Sequence, residues 1–336
     1  MISTFICGEP MSASGVHAEC TLLRAMSFLQ SRTHAAREGI GKAVARAEDD
    51  RLLRGQGRYA DDFSEPGQAY ACIARSPHAH AEIRSIDAGP ALAMPGVLAV
   101  LTGRDALADG LRPVPYRPIT ANPHEVLLRN RDGSPIFLAP CLPLAADRAR
   151  FVGAPVAMVI AESAAIAKDA AEQLVIDYAV LPSVSATRDA ADPRAPRVWS
   201  ESANVCVDCD AGDAADEAER LFRQAAHVVR LDTAINRITG VPMEPRAALG
   251  RYDPATGRYT VHASTGGVQR QRTEIAGALG IPESALRVVT GDLGGNYGAR
   301  NNSYPEFTLV AWAAKRVGRP VKWTCERHEA FLSDEH

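Results

Sequence analysis

An α+β fold in two successive units is what this 336-residue sequence predicts. Short apolar runs of strand length recur along the chain, separated by a few amphipathic helical stretches. Hydrophobic residues make up 46% of it, enough to build a core in each of two units of ordinary size. Two proline clusters, at 110–147 and 182–196, break the regular pattern where connections belong.

Residues 1–45 lack the apolar core and cleavage site of a secretory signal and read as a disordered leader outside the fold, with a short helix near 22–30 as the other possibility. From Asp50 the pattern becomes regular. Gly55, Gly57 and Asp61-Asp62 mark a turn, and strands follow at 69–76, 96–101, 155–161 and 174–181. Ser163 is placed to cap an alanine-rich helix over 163–173. Prolines at 113, 115, 118, 123, 135, 140 and 143 make 110–147 a long loop, suited to contact a partner subunit or a neighbouring domain. A helix over 213–225 opens the second unit, with strands at 227–235, 258–264, 286–290 and 320–325 and helices at 269–279 and 304–317. The domain limits are therefore 46–190 and 191–336. No closing element follows residue 325, so the second unit reads as cut short.

The net charge of −3 provides no broad positive field, which argues against nucleic acid or an anionic membrane as partner and for a small-molecule substrate or a protein surface. No run approaches the ~20 apolar residues of a membrane span. Seven scattered cysteines suit reduced thiols in a cytoplasm.

The stretch 288–306 carries the chemistry. An apolar strand ends in a turn containing Gly294, Gly295 and Gly298, where backbone without Cβ atoms can press N–H groups against an anionic cofactor. The turn lacks the Gly-Lys-Ser/Thr of a P-loop and the Gly-x-Gly-x-x-Gly order of a Rossmann turn, so ATP and NAD are unsupported. Cys206 and Cys209 have the spacing of half a zinc site with no matching second pair, and read as coincidence. His78 and His80 read as structural residues near a strand start. Met243-Glu-Pro-Arg246 serves either a ligand or a local ion pair. Phe307, Leu309, Val310 and Trp312 read as core.

Several ordered motifs together resemble the large, molybdopterin-binding subunit of the xanthine dehydrogenase, aldehyde oxidase and carbon monoxide dehydrogenase family. They are Gly41, the run from Arg46 to Asp62, Ser76-Pro-His-Ala-His-Ala-Glu-Ile83, Val152-Gly-Ala-Pro-Val156, Met243-Glu-Pro-Arg246, Gly294-Gly-Asn-Tyr-Gly298 and Arg319-Pro-Val-Lys-Trp323. The resemblance implies an α/β hammerhead domain followed by the first part of a molybdopterin-binding α+β domain. It implies molybdenum on a molybdopterin, in the cytosine dinucleotide form, held by Gly266, Gly267, Gly294, Gly295, Asn296, Tyr297 and Gly298. The reaction implied is oxidation of an aldehyde, an N-heterocycle or carbon monoxide with oxygen from water. Electrons would leave through a [2Fe-2S] small subunit and an FAD-binding medium subunit, in a homodimer of heterotrimers.

Three departures from the family pattern stand out. Its Ser-Thr-Gln segment reads Ser264-Thr265-Gly266-Gly267, so a side-chain donor is missing. Asn296 and Tyr297 replace a glycine and a phenylalanine. Asn301, the substrate-pocket candidate, stands where purine-oxidising relatives carry glutamate, which disfavours xanthine. The general-base glutamate is expected beyond His336, so no catalytic residue and no protein metal ligand is assigned. The chain is then expected to be inactive alone. Two other readings stay open: a non-catalytic assembly module docking FAD and iron–sulfur subunits, and a phosphate-binding enzyme using the glycine loop alone.

Overall fold

The computed structural model describes residues 2–7, 40–41, 43–115, 129–210, 212–236 and 238–335, without the side chains of 2–7. In chain order its elements are β1 (Ile2–Cys7), α1 (Asp49–Leu53), β2 (Ala69–Arg75), β3 (Ala81–Asp87), α2 (Gly89–Leu92), β4 (Val97–Thr102), α3 (Gly103–Ala108), β5 (Arg148–Ala149), β6 (Pro155–Ala161), α4 (Ala164–Glu172) and β7 (Val175–Val180). There follow α5 (Thr187–Ala190), α6 (Ala215–Gln224), β8 (His227–Asp232), β9 (Ala247–Asp253), β10 (Arg258–Ala263), α7 (Val268–Leu279), β11 (Leu286–Val289), α8 (Pro305–Val317), β12 (Val321–Thr324) and α9 (Arg327–Ser333). They form two units, Met1–Gly57 with Asp210–Arg237, and Arg58–Cys209 with Ile238–His336.

In the first unit β1 runs antiparallel to β8, from Ile2 opposite Asp232 to Cys7 opposite His227. Ile2–Cys7, placed in a leader by the sequence reading, is therefore a strand. A two-stranded ladder gives the backbone groups of β8 partners that an isolated strand lacks. The possible helix near 22–30 lies outside the described residues.

The second unit holds a seven-stranded sheet in the order β11-β10-β9-β12-β2-β6-β4 and a three-stranded sheet, β5-β3-β7. Every residue of β6 is buried, as its unbroken Pro-Val-Ala-Met-Val-Ile-Ala run demands of a strand flanked on both edges by β2 and β4. Ser163 caps α4, its hydroxyl accepting from the Ile166 N–H at 3.2 Å. Thr102 and Asp105 cap α3 reciprocally, a capping box the sequence reading passed over. Strand β12 pairs parallel to β2, so this sheet takes strands from both sides of the expected limit between residues 190 and 191. The described ends of the proline-rich loop pack on the same unit: Val114 bridges Cys141, and the Arg112 N–H donates to Ala278 O at 2.8 Å.

One core cluster draws residues from β2, β4, β6, β9, β10, β12, α7 and α8. Phe307, Leu309, Val310 and Trp312 of α8 are almost fully buried in it, each contributing roughly 2 kcal/mol by loss of apolar surface. Helix α8 lies so close to β9 that a Cβ on Gly250 would stand 2.3 Å from Val310 O. A helix also stands where the sequence showed no element. Helix α9 starts at a capping box of Glu326 and Glu329, and Asp334 beyond it is buried.

Candidate functional site

Strands β10 and β11 run parallel with Tyr259 opposite Leu286 and His262 opposite Val289, so both end at the same level. The loops that follow, 264–267 and 290–303, are consequently neighbours. Thr290 Oγ1 donates to Thr265 O at 3.2 Å, and both the Gly266 N–H and Thr265 Oγ1 donate to Arg300 O, at 2.9 and 3.3 Å. A Cβ on Gly266 would lie 2.3 Å from Asn296 Nδ2 and 2.8 Å from Asn301 Oδ1. The residues singled out from the sequence are thus brought together.

Their N–H groups are not all available. Gly294 N donates to Glu244 Oε2 at 2.8 Å, Gly267 N to Thr265 Oγ1 at 3.2 Å, and Gly298 N to Asn296 Oδ1 at 3.1 Å. With Gly266 N on Arg300 O, four of the seven expected donors are spent inside the protein. The N–H groups of Gly295, Asn296 and Tyr297 have no acceptor among the described residues. Gly295 (φ +119°), Tyr297 (φ +50°) and Gly298 (φ +89°) are left-handed, a strained state for tyrosine, whose side chain is 73% exposed. Gly267 caps α7 without a side chain, which leaves first-turn N–H groups of that helix open as well. The arrangement can cradle an oxygen-rich anion through main-chain donors.

Glu244 anchors the loop from beneath. Its carboxylate accepts from Gly294 N and, at 3.3 Å, from Ala60 N, while its carbonyl accepts from Arg300 Nη2 at 2.7 Å. Burial pushes its pKa above the ordinary carboxylate value, against those two backbone hydrogen bonds. Arg246 does not pair with Glu244. Fully buried, it meets Glu306 Oε2 at 3.1 Å and Asp334 Oδ1 at 2.7 Å, and its guanidinium lies 3.7 Å over the Tyr304 ring. Arg75 of β2 joins the same network through Glu306 and Glu329. The local ion pair the sequence offered for Glu244 and Arg246 is therefore not formed: Arg246 pairs with the distant Glu306 and Asp334, and Glu244 holds backbone N–H groups. Arg300, Glu306 and Asp334 were missed because a buried charge has the same letter as a surface one. Their signal was an acid at the first turn of an otherwise apolar helix and an arginine inside a glycine loop.

The remaining candidates sit elsewhere. His80 Nδ1 is 3.0 Å from Pro182 O, and His78 lies edge-on to Tyr178 at 5.0 Å. Cys206 is exposed, with its carbonyl accepting from Phe137 N at 2.9 Å. A cavity of about 660 Å³ opens between α4, β2, β12 and α9, lined by Tyr70, Cys72, Lys168, Lys322 and Glu326, and does not include the glycine loop.

Residues 54–182 match the aldehyde oxidase and xanthine dehydrogenase a/b hammerhead domain, and residues 199–336 match the molybdopterin cofactor-binding domain that contains this loop. The chain belongs to the molybdopterin-binding large subunits of the xanthine dehydrogenase and carbon monoxide dehydrogenase family. Among members, subunit gamma of the 6-hydroxypseudooxynicotine dehydrogenase complex of Paenarthrobacter nicotinovorans is 36% identical over 88% of this chain and 36% of its own length. The carbon monoxide dehydrogenase large chain of Hydrogenophaga pseudoflava is 31% identical over 89% of this chain and 37% of its own. The structure of quinoline 2-oxidoreductase from Pseudomonas putida 86 superposes with a TM-score of 0.75 at 33% identity, covering 90% of this chain and 36% of that one. This member of the family therefore spans about a third of the length of these relatives. Among its described residues no helix is long and apolar enough to cross a membrane.

Proposed function

We propose that this chain forms part of the molybdopterin site of a molybdenum hydroxylase-type oxidoreductase, which oxidises an aldehyde, an N-heterocycle or carbon monoxide with oxygen from water. The observation that carries the reading is the set of three consecutive unpaired N–H groups at Gly295, Asn296 and Tyr297, set beside the side-chain-free backbone of Gly266. Those donors fit a phosphate- and oxygen-rich cofactor. The Arg300 guanidinium is turned inward to Glu244 O, so anion binding here is main-chain work. When bound, the cofactor supplies the two-electron redox chemistry of the reaction.

The chain's own residues hold the cradle in shape. Glu244 fixes Gly294, Arg300 fixes Glu244, and the buried Arg246, Glu306 and Arg75 cluster ties the end of the loop to α8 and β2. Within this reading the pterin is the cytosine dinucleotide form, the electron carriers are a [2Fe-2S] small subunit and an FAD-binding medium subunit, the assembly is a homodimer of heterotrimers, and the compartment is the cytoplasm.

The test is to isolate the protein from its native cells with whatever subunits accompany it, then to measure molybdenum by elemental analysis and pterin by the fluorescence of its oxidised form. Stoichiometric pterin is the expected result, lost in a Gly267→Val variant, where the added side chain would enter open space. FAD and iron–sulfur proteins without pterin would leave the assembly-module reading in its place.

A further inference from the structure

Glu244 puts a carboxylate at the edge of the cradle, on the N–H group that precedes the three free ones. Its Oε2 accepts from Gly294 N at 2.8 Å and its Oε1 from Ala60 N at 3.3 Å, while the Glu244 N–H donates back to Gly294 O at 3.2 Å. The contact is close, since a Cβ on Gly294 would stand 2.5 Å from Glu244 Cβ. Gly294 is thus already bonded to an anion, one peptide away from where Gly295, Asn296 and Tyr297 offer their N–H groups. The turn beside it is joined to the loop as well: Asp292 Oδ2 accepts from Arg58 N at 2.7 Å, and Asp292 N donates to Arg58 O at 2.8 Å.

Resting on the functional reading above, we infer that Glu244 is a built-in anion that makes capture of the oxygen-rich cofactor proton-linked: as that anion settles on the N–H groups of 295–297, this carboxylate takes up a proton from solvent. Two like charges so close in partly desolvated surroundings cannot both be ionised without cost, so each disfavours the other, and the coupling is reciprocal. A protonated Glu244 keeps one acceptor oxygen for Gly294 N, so the loss falls on the longer contact to Ala60 N. The charged groups packed about the carboxylate are Arg300 and Asp292 of the loop, Arg58 and Asp62 of the turn, Arg327 of α9, and Arg246. Arg327 is engaged by the carbonyls of Pro242 and Met243, and Arg246 by Glu306 and Asp334. Arg300 holds Glu244 ionised and Asp62 favours the proton, with burial tipping the balance toward the proton.

Sulfate is the probe, because it stays a dianion between pH 4 and pH 8 and adds no titration of its own. The full chain, produced in cells that make no pterin, is titrated with sulfate while the amide resonances of Gly295, Asn296 and Tyr297 are followed by NMR. The amides of Gly294 and Ala60 share one carboxylate and should titrate with a single midpoint, which saturating sulfate should move up by about one pH unit. Affinity for sulfate should accordingly rise about tenfold from pH 7 to pH 4. Glu244→Gln keeps an acceptor for Gly294 N and carries no charge. It should bind sulfate about tenfold more tightly than the parent at pH 7 and lose that pH dependence.

The midpoint shift is read in the unsubstituted chain, which keeps the test decisive if the variant misfolds. A Glu244 of structural role alone would titrate without responding to sulfate. A midpoint unmoved by sulfate, an affinity that falls toward acid, or no sulfate at these amides overturns the inference. Pterin in the natively isolated protein together with an unmoved midpoint sinks this inference and leaves the functional reading standing. A sulfate-coupled midpoint in a protein that carries no pterin does the reverse.

Discussion

Arg246 and Glu306 meet 3.1 Å apart with both side chains sealed from solvent, one entering β9 and the other in the first turn of α8. An ion pair in such surroundings contributes little compared with a well-packed apolar pair, because both ions have lost their hydration. Breaking it is another matter. Arg246 also holds Asp334 and faces the Tyr304 ring, so its loss leaves Asp334 in the core with only Arg300 3.8 Å away, and Glu306 with Arg75 as its one cation.

Arg246→Met is expected to destabilise the fold by about 3–5 kcal/mol, the cost of an uncompensated buried charge. Denaturant unfolding followed by tryptophan fluorescence measures it, since Trp312 and Trp323 lie in the same core. A loss under about 1 kcal/mol would show the network to be better hydrated than the structure has it.

Glu306 sets a pH dependence. Burial alone would raise its pKa, but Arg246 and Arg75 outweigh that and hold it below the ordinary carboxylate value. The stabilisation is therefore present above the unfolded pKa of about 4.3 and is lost as pH falls through the lower folded value. Glu306→Gln should be less stable than the parent at pH 7, yet lose less on acidification from pH 5 to pH 3. Parallel stability profiles over that range would dismiss the assignment.

Gly266→Ala should displace the Asn296 amide, which stands 2.3 Å from the added methyl group, and weaken its hydrogen bonds to Gly298 and Arg300. The expected cost is about 1–2 kcal/mol, with faster hydrogen exchange confined to those two amides. Unchanged exchange there would mean that the loops do not touch.

Thiol chemistry reports on burial. Cys325 is buried, and that burial pushes its pKa up to about 12, while Cys72 and Cys141 are raised to about 11 for the same leading reason. Cys206 is exposed. Among these four, a disulfide reagent at pH 7.5 should label Cys206 first and Cys325 only on unfolding, as peptide mapping would show. Early labelling of Cys325 would contradict the packing of β12.

Elements with a strong local signature were legible. The β6 run, the Ser163-capped helix, and α7 and α8, each ended by a left-handed glycine at 280 or 318, all appear within one or two residues of their expected limits. Strand β9 was not, because Ala-Ala-Leu-Gly-Arg-Tyr-Asp lacks the apolar-polar alternation of a strand, and it exists through pairing with β10 and β12. Helix α9 was hidden for a similar reason. Its starting signal is a Glu326 and Glu329 capping box inside a charged segment, where the charges suggested solvent.

The sequence by itself determined the family, the strands and helices with strong local signatures, and the place of the glycine loop, since these depend on residues close together in the chain and on what glycine alone permits. Tertiary structure alone decided which of that loop's donors stay free and that Arg246 serves Glu306 and Asp334 in preference to its neighbour Glu244. A hydrogen bond is settled by which groups meet across 30 to 90 residues of chain, and composition at either end does not say which partner arrives.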